Sequence, residues 1–578
     1  MAQIALKNFR KFESLETLNL NDINIFVGKN NSGKSTVTKA IMLVLDNLRS
    51  LQWTKIPYND GVFGITNSPK PFFRFNVNEY HNLHIGTFER AKCNWLDDPR
   101  ITMEVKYGAF KFEITVAALA DPNGQANVPI EKLKITVPDS NCWFDFSFQH
   151  PYSMTFGMDK RTSEKNPNIL TEEIKSNRGE IKNLREKISE AEKAGDAIKV
   201  AELTHDLQKL RSLRHSLIVE SKKIDANADI NEVSFFLRYY HEGMEWSPLA
   251  QYIRTFTKFP DLPITRYDQY GEVRVGTITS DFGKPIKKGT KEYNDELAKR
   301  QFISEHINVI KQVAKDLEWT LRTINVDYIQ AHAATQKLIL DANEKNDINS
   351  VIVDEFYKEN IQPGTNADRF LKYWLKEFEI GNFIKVEPLE GEGYYVKVDT
   401  EDDEVHLADM GMGSIQLVIL LLRLATIGSR MERTNQPCLV VVEEPEQNLH
   451  PKLQSLLADM FLAFEASFVD HSNNLFVNTL IIESHSEYLI RRTQIMVAES
   501  VQESGYSEEE LKEENPITVF YFPTEREKQP YDMEYLPNGR FKHSFGFGFY
   551  DEAGRLALEL SDKESKQKES EDFNWNVL

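Results

Sequence analysis

Apolar and polar residues alternate along the first part of the chain in a way that predicts a β-rich segment. Short apolar runs over 4–9, 15–20 and 23–27 predict strands, and the stretch 37–48 has the spacing of a helix. Further strands are predicted over 73–77, 101–105, 110–116, 133–137 and 143–148. The first 165 residues therefore predict strands on both sides of one helix.

The pattern changes near residue 171, where charged helix formers predominate. Apolar residues then repeat at heptad-like spacing, with an interruption at Gly195 and Asp196, which predicts an antiparallel helical hairpin over 166–228. Arms of about 20 residues would extend about 30 Å. The hairpin either packs on its own domain or forms an arm for a partner or nucleic acid, and acids among its basic residues favour a solvated surface over phosphate contact.

The remainder predicts a mixed α/β region followed by a second α/β segment. Helices are predicted over 296–314, 351–357, 369–378 (ending at Gly381) and 417–425, and buried strands over 438–442 and 479–482. We therefore divide the chain into five parts, which are 1–165, 166–228, 229–400, 401–560 and a charged tail over 561–578.

Composition narrows the class of protein. A chain of 578 residues is too long for one simple core, and its formal net charge of −20 argues against a surface that is basic throughout. Three distant cysteines argue against a zinc site or a disulfide framework. The N-terminus lacks an apolar leader, and no window is apolar enough to cross a bilayer. We expect a cytoplasmic protein without a membrane domain.

The first candidate site is a phosphate-binding loop between a predicted strand and a predicted helix. This order is the one a P-loop requires, and glycines let successive N–H groups turn towards phosphate oxygens. Lys34 can reach the β- and γ-phosphates, and the Ser35 hydroxyl can bind Mg2+. The residues of this candidate ATP site are Gly28, Lys29, Asn30, Asn31, Ser32, Gly33, Lys34, Ser35 and Thr36. The alternative is a Gly/Ser-rich loop that fits the pattern by chance.

Acidic residues follow the predicted strand 438–442. After a buried strand in a P-loop protein, Glu443 can hold the Mg2+ shell and Glu444 can polarise the attacking water. The alternative is an exposed acidic turn. His485 follows the next strand and could hydrogen-bond the γ-phosphate, although a lone histidine is more often structural.

A second glycine-containing segment opens the predicted helix 417–425. Gly411, Gly413 and Ser414 are small residues at a helix start, where N–H groups can bind an anion. Because the chain already has one phosphate loop, we expect this segment to contact a nucleotide held by another copy of the chain. The alternative is a glycine-rich helix start that serves folding only.

The order of these motifs resembles the ABC-type ATPase heads of the SMC, Rad-fifty and OLD-like superfamily. Residues 443–451 and 483–489 are similar in detail to the PtuA-like ATPases of Septu and retron anti-phage systems and to the ATPase of PARIS, and 536–541 and 546–552 add to the likeness. The resemblance implies an α/β head that both chain ends assemble, with an inserted helical hairpin. It departs from the family at Glu443, where aspartate is commoner, and in its signature sequence.

The resemblance also implies roles and partners. Ser35 and Glu443 would bind Mg2+, Glu444 and His485 would be catalytic, and Gly411, Gly413 and Ser414 would reach the partner's γ-phosphate. It implies a homodimer or higher even oligomer, and a separate effector such as an HNH nuclease, because this chain has no recognisable nuclease motif. The alternative is an SMC-like ATPase that tethers or repairs DNA, in which the hairpin binds nucleic acid.

Overall fold

The computed structural model divides the chain into two compact units. Unit 1 comprises Met1–Lys134, His241–Leu249 and Lys315–Leu578, and unit 2 comprises Ile135–Tyr240 and Ala250–Ala314. The structure describes residues 2–49, 53–59, 65–75, 85–118, 126–148, 153–158, 187, 199, 203, 232–236, 253–254, 265–267, 273–275, 291–330, 336–341, 344, 347–390, 392–400, 403–434, 436, 438–468, 479–504, 507–546, 549–550, 552, 555–556 and 558–563.

The described residues form strands at both ends of the chain and in its middle. In chain order they are β1 (Ala2–Phe9), β2 (Phe12–Leu20), β3 (Ile23–Gly28), β4 (Trp53–Asn59), β5 (Ile65–Arg74), β6 (Arg100–Tyr107), β7 (Phe110–Ala117), β8 (Asn127–Val137), β9 (Cys142–Ser147), β10 (Ser153–Met158), β11 (Glu232–Phe236), β12 (Thr265–Tyr267), β13 (Val273–Val275), β14 (Val326–Ile329), β15 (Phe383–Leu389), β16 (Gly393–Asp399), β17 (Glu404–His406), β18 (Leu439–Glu443), β19 (Thr479–Ser484), β20 (Ile517–Phe522) and β21 (Tyr531–Asp532).

Most of the helices lie in the second half of the described chain. They are α1 (Lys34–Arg49), α2 (Phe88–Ala91), α3 (Lys291–Thr323), α4 (Ile348–Glu359), α5 (Asn366–Glu377), α6 (Met412–Thr434), α7 (Pro451–Phe468), α8 (Glu487–Ser504) and α9 (Glu508–Glu514).

The central sheet of unit 1 joins the two ends of the chain. Its strand order is β14-β18-β19-β3-β20-β21, and the first five strands are parallel. β3 lies between β19 and β20, so a strand from residues 23–28 pairs with strands more than 450 residues later. Carboxyl ends of parallel strands meet at one edge, and that edge collects the residues that follow β3, β18 and β19. The predicted assembly of one α/β unit from both chain ends is confirmed.

A second sheet of unit 1 has the order β7-β6-β1-β2, in which neighbouring strands are antiparallel. Helix α1 contacts β6 of this sheet as well as β3 and β19 of the central sheet. This position explains why α1 is buried on almost every side, from Val37 to Leu48, and not along a single stripe. The helix that follows the phosphate loop is therefore held firmly between two layers.

Unit 2 contains the antiparallel strands β9, β10 and β11 and the hairpin of β12 and β13. Phe156 of β10 contacts Phe144 of β9 and Phe302 of α3. These buried rings form an aromatic core typical of a half-buried sheet covered by a helix.

Helix α6 is the core helix of unit 1. It is long and apolar enough to cross a bilayer, with a mean hydropathy of 1.6, but 78% of that window is buried within the fold. The expectation that no window of the sequence is apolar enough to cross a bilayer is therefore wrong as far as length and composition are concerned. Burial against α4, α5 and α7 accounts for the apolar residues without a membrane.

Most predicted elements are present, with shifted ends. The predicted strand over 73–77 overlaps only the end of β5, and α6 begins five residues before the expected start at Leu417. α5 ends at Glu377 and not at Gly381, because Glu379 adopts a left-handed conformation with φ of 58°. The predicted hairpin over 166–228 lies almost wholly outside the described residues. The five-part division of the chain stays a prediction.

Candidate functional site

Two glycines shape the phosphate loop between β3 and α1. Gly28 has φ of 155°, and a Cβ there would lie 2.5 Å from the Phe522 carbonyl oxygen. Gly33 has φ of 105°, and a Cβ there would lie 2.7 Å from the Phe12 ring. Both positions exclude a side chain, which explains why each is a glycine.

Lys34 is the first residue of α1 and is 6% exposed. Its Nζ donates to the carbonyl oxygens of Gly28 at 2.8 Å and Lys29 at 3.3 Å, and it lies 3.2 Å from His485 Nε2. Burial lowers the pKa of the Lys34 ammonium, while the charges of nearby carboxylates raise it. The ammonium thus lies at the mouth of the loop, beside His485.

The other predicted loop residues have different surroundings. Lys29, Asn30 and Asn31 are exposed, and Asn31 has φ of 61°. Ser32 is 2% exposed, and the backbone N–H of Thr36 donates to the Gly33 carbonyl oxygen. The exposed residues are at the tip of the loop, whereas Ser32 belongs to its buried side.

Lys11 fixes the loop from outside. Its Nζ donates to the Ser32 carbonyl oxygen at 2.7 Å and to the Pro523 carbonyl oxygen at 2.8 Å. The β1–β2 turn, the phosphate loop and the end of β20 are thereby connected through one side chain. A charged donor between two carbonyl oxygens stabilises the loop more strongly than a neutral one would.

The Ser35 hydroxyl donates to Glu483, not to Glu443. Ser35 Oγ lies 2.6 Å from Glu483 Oε2, and Thr38 Oγ1 lies 2.5 Å from Oε1. Glu483 is 2% exposed, and burial followed by the charge of Glu443 raises its pKa to about 7. Glu483 is a residue to which the sequence analysis gave no role.

Glu443 lies beside Glu483 across the paired ends of β18 and β19. Tyr328 of β14 hydrogen-bonds Glu443, and burial and that carboxylate raise the pKa of the tyrosine. Among the residues that the structure describes, no three His, Cys, Asp or Glu side chains converge as a metal cage. Hydroxyl and carboxylate oxygens suit Mg2+, which is usually held by one or two carboxylates together with phosphates and water. The donor set of Ser35 and Glu443 fits that cation.

Glu444 follows β18 in a strained backbone conformation. Its φ is 45°, and its N–H donates to the Glu483 carbonyl oxygen at 2.8 Å. Gln447 Nε2 donates to the Glu444 carboxylate, whose other oxygen lies 3.9 Å from His485 Nε2. Left-handed non-glycine residues cost of order 1 kcal/mol or more and concentrate at functional sites. This backbone turn directs the carboxylate towards His485.

His485 is held by Glu446, which lies in the loop that follows β18. Its backbone N–H donates to Glu446 Oε1 at 2.5 Å, and Glu446 is 7% exposed. Burial and the charge of Lys34 lower the pKa of His485, which keeps its ring neutral at pH 7. With the ring proton on Nδ1, Nε2 accepts a hydrogen bond from the Lys34 ammonium, whereas the other neutral tautomer can donate from Nε2 to a phosphate oxygen.

Gly411, Gly413 and Ser414, at the start of α6, adjoin the loop that follows β18. Gly411 is exposed with open space around it, Ser414 is half-buried, and a Cβ on Gly413 would lie 2.6 Å from the Asn448 carbonyl oxygen. Gln416 Nε2 lies 3.3 Å from the carbonyl oxygens of Glu444 and Pro445. Close packing and hydrogen bonds therefore connect the start of α6 to the loop that follows β18.

A cavity of about 470 Å³ opens beside the phosphate loop. It is bounded by loop residues 31–36 and by basic and aromatic side chains from the β1–β2 turn and the segment around α2. Trp95 is 44% exposed at this cavity, and the Arg526 guanidinium carbon lies 3.9 Å from the centre of its ring. The volume is in the range of pockets for small molecules.

The structure thus brings together Lys34, Ser35, Glu443, Glu444 and His485. Sequence reasoning missed the residues that orient them, which are Lys11, Glu446 and Glu483. One signal was available for Glu483, since an acidic residue ending a wholly apolar strand is unusual without a partner.

Comparison with known proteins gives one family match. The model of the AAA ATPase domain (AAA_15) matches residues 1–490. No curated protein matches the sequence.

Two kinds of solved structure are similar at low identity. One is the Smc head domain of Pyrococcus furiosus with an extended coiled coil, bound to the C-terminal domain of ScpA, at 10% identity and a TM-score of 0.27, covering 97% of this chain and 100% of that one. The other is the recombination mediator RecF with ATP, at 9% identity and a TM-score of 0.23, covering 92% and 98%. At these values neither says what this chain binds.

Proposed function

Because the chain belongs to the AAA ATPase domain family, we propose that it binds ATP with Mg2+, hydrolyses the ATP, and dimerises around the nucleotide. The observation that carries this proposal is the convergence of Lys34, Ser35, Glu444 and His485 at one edge of the central sheet. Lys34 and Ser35 begin α1, whereas Glu444 and His485 follow the parallel strands β18 and β19. Together they supply a cation, a hydroxyl, a base and a neutral imidazole.

Each residue has a distinct part in the proposed reaction. The Lys34 ammonium and the N-terminus of α1 bind the β- and γ-phosphates through charge-assisted hydrogen bonds. Ser35 and Glu443 would hold Mg2+, which neutralises phosphate charge when it is bound. Glu444 accepts the proton of the attacking water, and His485 hydrogen-bonds the γ-phosphate.

The finer part of the proposal concerns assembly. Gly411, Gly413 and Ser414 would contact the γ-phosphate in a second copy of the chain, which makes ATP the bridge of a homodimer. ATP state would then control a separate effector, a nuclease in prokaryotic antiviral defence, as the resemblance of 443–451 and 483–489 to PtuA-like ATPases suggests. Cleavage of DNA or RNA by the purified chain that persists after Lys34→Ala would contradict a separate effector.

The proposal is tested on the full chain. Calorimetry with ATP and Mg2+ should show binding, phosphate release should show slow turnover, and light scattering should show a dimer with ATP and a monomer without it. A chain that binds no ATP would refute the assignment of the site. A chain that binds and hydrolyses ATP as a monomer would refute only the dimer.

We place the base and ribose of ATP in the cavity beside Trp95. Trp95→Ala should weaken ATP binding about 5- to 150-fold, since a base stacked on an aromatic ring contributes about 1–3 kcal/mol. Inorganic tripolyphosphate has no base, so its affinity should stay unchanged. Trp319→Ala is the matched control, because Trp319 is 41% exposed on α3 and does not line this cavity. Equal losses for ATP and tripolyphosphate would contradict this placement.

A further inference from the structure

Glu483 is the last residue but one of β19, and its carboxylate lies against the start of α1. Both carboxylate oxygens accept hydrogen bonds from that helix, one from Ser35 and the other from Thr38. Thr38 Oγ1 is also 3.1 Å from the Lys34 carbonyl oxygen, but the shorter contact to Glu483 takes its single proton. β19 thus carries a buried acceptor for the hydroxyl that we assign to Mg2+.

The direction of the Ser35 proton decides what the hydroxyl oxygen can bind. A serine hydroxyl has one proton and two lone pairs, so a proton committed to Glu483 leaves the lone pairs available. A carboxylate acceptor also makes the oxygen a better electron donor, as partners behind metal ligands generally do. Glu483 therefore prepares Ser35 for a cation.

Glu443 has a different set of neighbours. It lies one strand further from β3, in register with Glu483, and it hydrogen-bonds Tyr328 of β14. The contact from Ser35 goes to Glu483 at 2.6 Å. The two carboxylates are therefore not equivalent, since one approaches the site from β18 and the other supports the serine from β19.

We infer that Glu483 is the positioning residue of the Mg2+ site, orienting the Ser35 hydroxyl so that Mg2+ strengthens ATP binding. The inference rests on the proposed function of the site. It gives β19, the strand that precedes His485, a part in metal binding in addition to that of Glu443. A purely structural role, in which Glu483 only anchors the first turn of α1, predicts different behaviour.

The test measures how much Mg2+ strengthens ATP binding. Calorimetry on the full chain gives the ATP affinity with Mg2+ and with EDTA, and the ratio of the two is the Mg2+ gain. Glu483→Gln should reduce this gain about 10- to 100-fold, the usual loss when a partner of a metal ligand is removed. The affinity in EDTA should stay within a factor of about two, because the lysine and the loop backbone are unchanged.

Thr38→Val is the matched control. It removes the other hydrogen bond to the same carboxylate and keeps the side-chain volume, while Ser35 still donates to Glu483. The Mg2+ gain should be retained in this variant. Glu483→Asp, which keeps the charge but shortens the side chain, should give an intermediate loss and serves if Glu483→Gln does not fold.

Three outcomes separate the possibilities. A full Mg2+ gain in Glu483→Gln or, where that variant does not fold, in Glu483→Asp overturns the inference. Equal losses of melting temperature and EDTA affinity in Glu483→Gln and Thr38→Val, with the gain intact, show a structural role only and also overturn it. A wild-type chain that binds no ATP refutes the proposed function itself, which is a distinct result.

Discussion

Lys34→Ala should reduce ATP affinity by about 100-fold or more, since each charge-assisted hydrogen bond to phosphate is worth about 1.5–3 kcal/mol and Lys34 can make two. The ammonium already lies where phosphate would enter, 2.8 Å from the Gly28 carbonyl oxygen and 3.2 Å from His485 Nε2. Alanine leaves the glycine backbone in place but removes the only charge that the first turn of α1 contributes. Calorimetry with ATP and Mg2+ measures the loss.

The control for this variant is Lys39→Ala. Lys39 is half-buried on the same helix, and the fold places it outside the phosphate loop. It should bind ATP like the wild type, and both variants should retain cooperative melting. Wild-type affinity in Lys34→Ala would show that the loop is not the phosphate site, whereas loss of affinity in both variants would point to damage of α1 itself.

The phosphate loop was predictable because its determinants are local. The strand, the two glycines and the helix are contiguous in the sequence, although the contacts that exclude a side chain at Gly28 and Gly33 come from the distant residues Phe522 and Phe12. The acidic pair after β18 was equally visible, since a buried apolar strand ends in two charged residues. What the sequence left open was which side chains would meet.

Glu483 shows why the rest was not predictable. Its contact with Ser35 depends on β19 lying between β18 and β3, which is a property of the strand order and not of any one segment. The short strand β14, which supplies Tyr328, was also not predicted. A strand of four residues is too short to show a clear alternation of apolar and polar positions. Long-range pairing thus decided the details of the site.

The start of α6 was missed for a different reason. The apolar pattern predicted a helix over 417–425 with small residues before it, yet the helix begins at Met412 and the Ile415 N–H bonds to the Gly411 carbonyl oxygen. Gly413 is explained by its close approach to Asn448 and not by flexibility. The packing places the start of α6 next to the loop that follows β18, so a substitution in either segment is expected to shift the other.

Glu444→Gln should bind ATP normally but slow hydrolysis about 10²- to 10⁴-fold, the usual contribution of a general base. Glutamine keeps the shape and the contact with Gln447, but it cannot accept the proton of water at neutral pH. The phosphate loop, Ser35 and Lys34 are unchanged, so ATP stays bound. Because hydrolysis would release the proposed dimer, the variant should accumulate as an ATP-bound dimer.

Single-turnover phosphate release and light scattering with ATP measure the two effects separately, and Glu509→Gln, an exposed substitution on α9, should change neither. Wild-type hydrolysis in Glu444→Gln would mean that another group activates the water. A hydrolysis-deficient variant that binds ATP and remains a monomer would keep Glu444 as the base but remove the dimer. The position of Glu444, strained at φ of 45° and 3.9 Å from His485 Nε2, favours the first part of the prediction independently of the second.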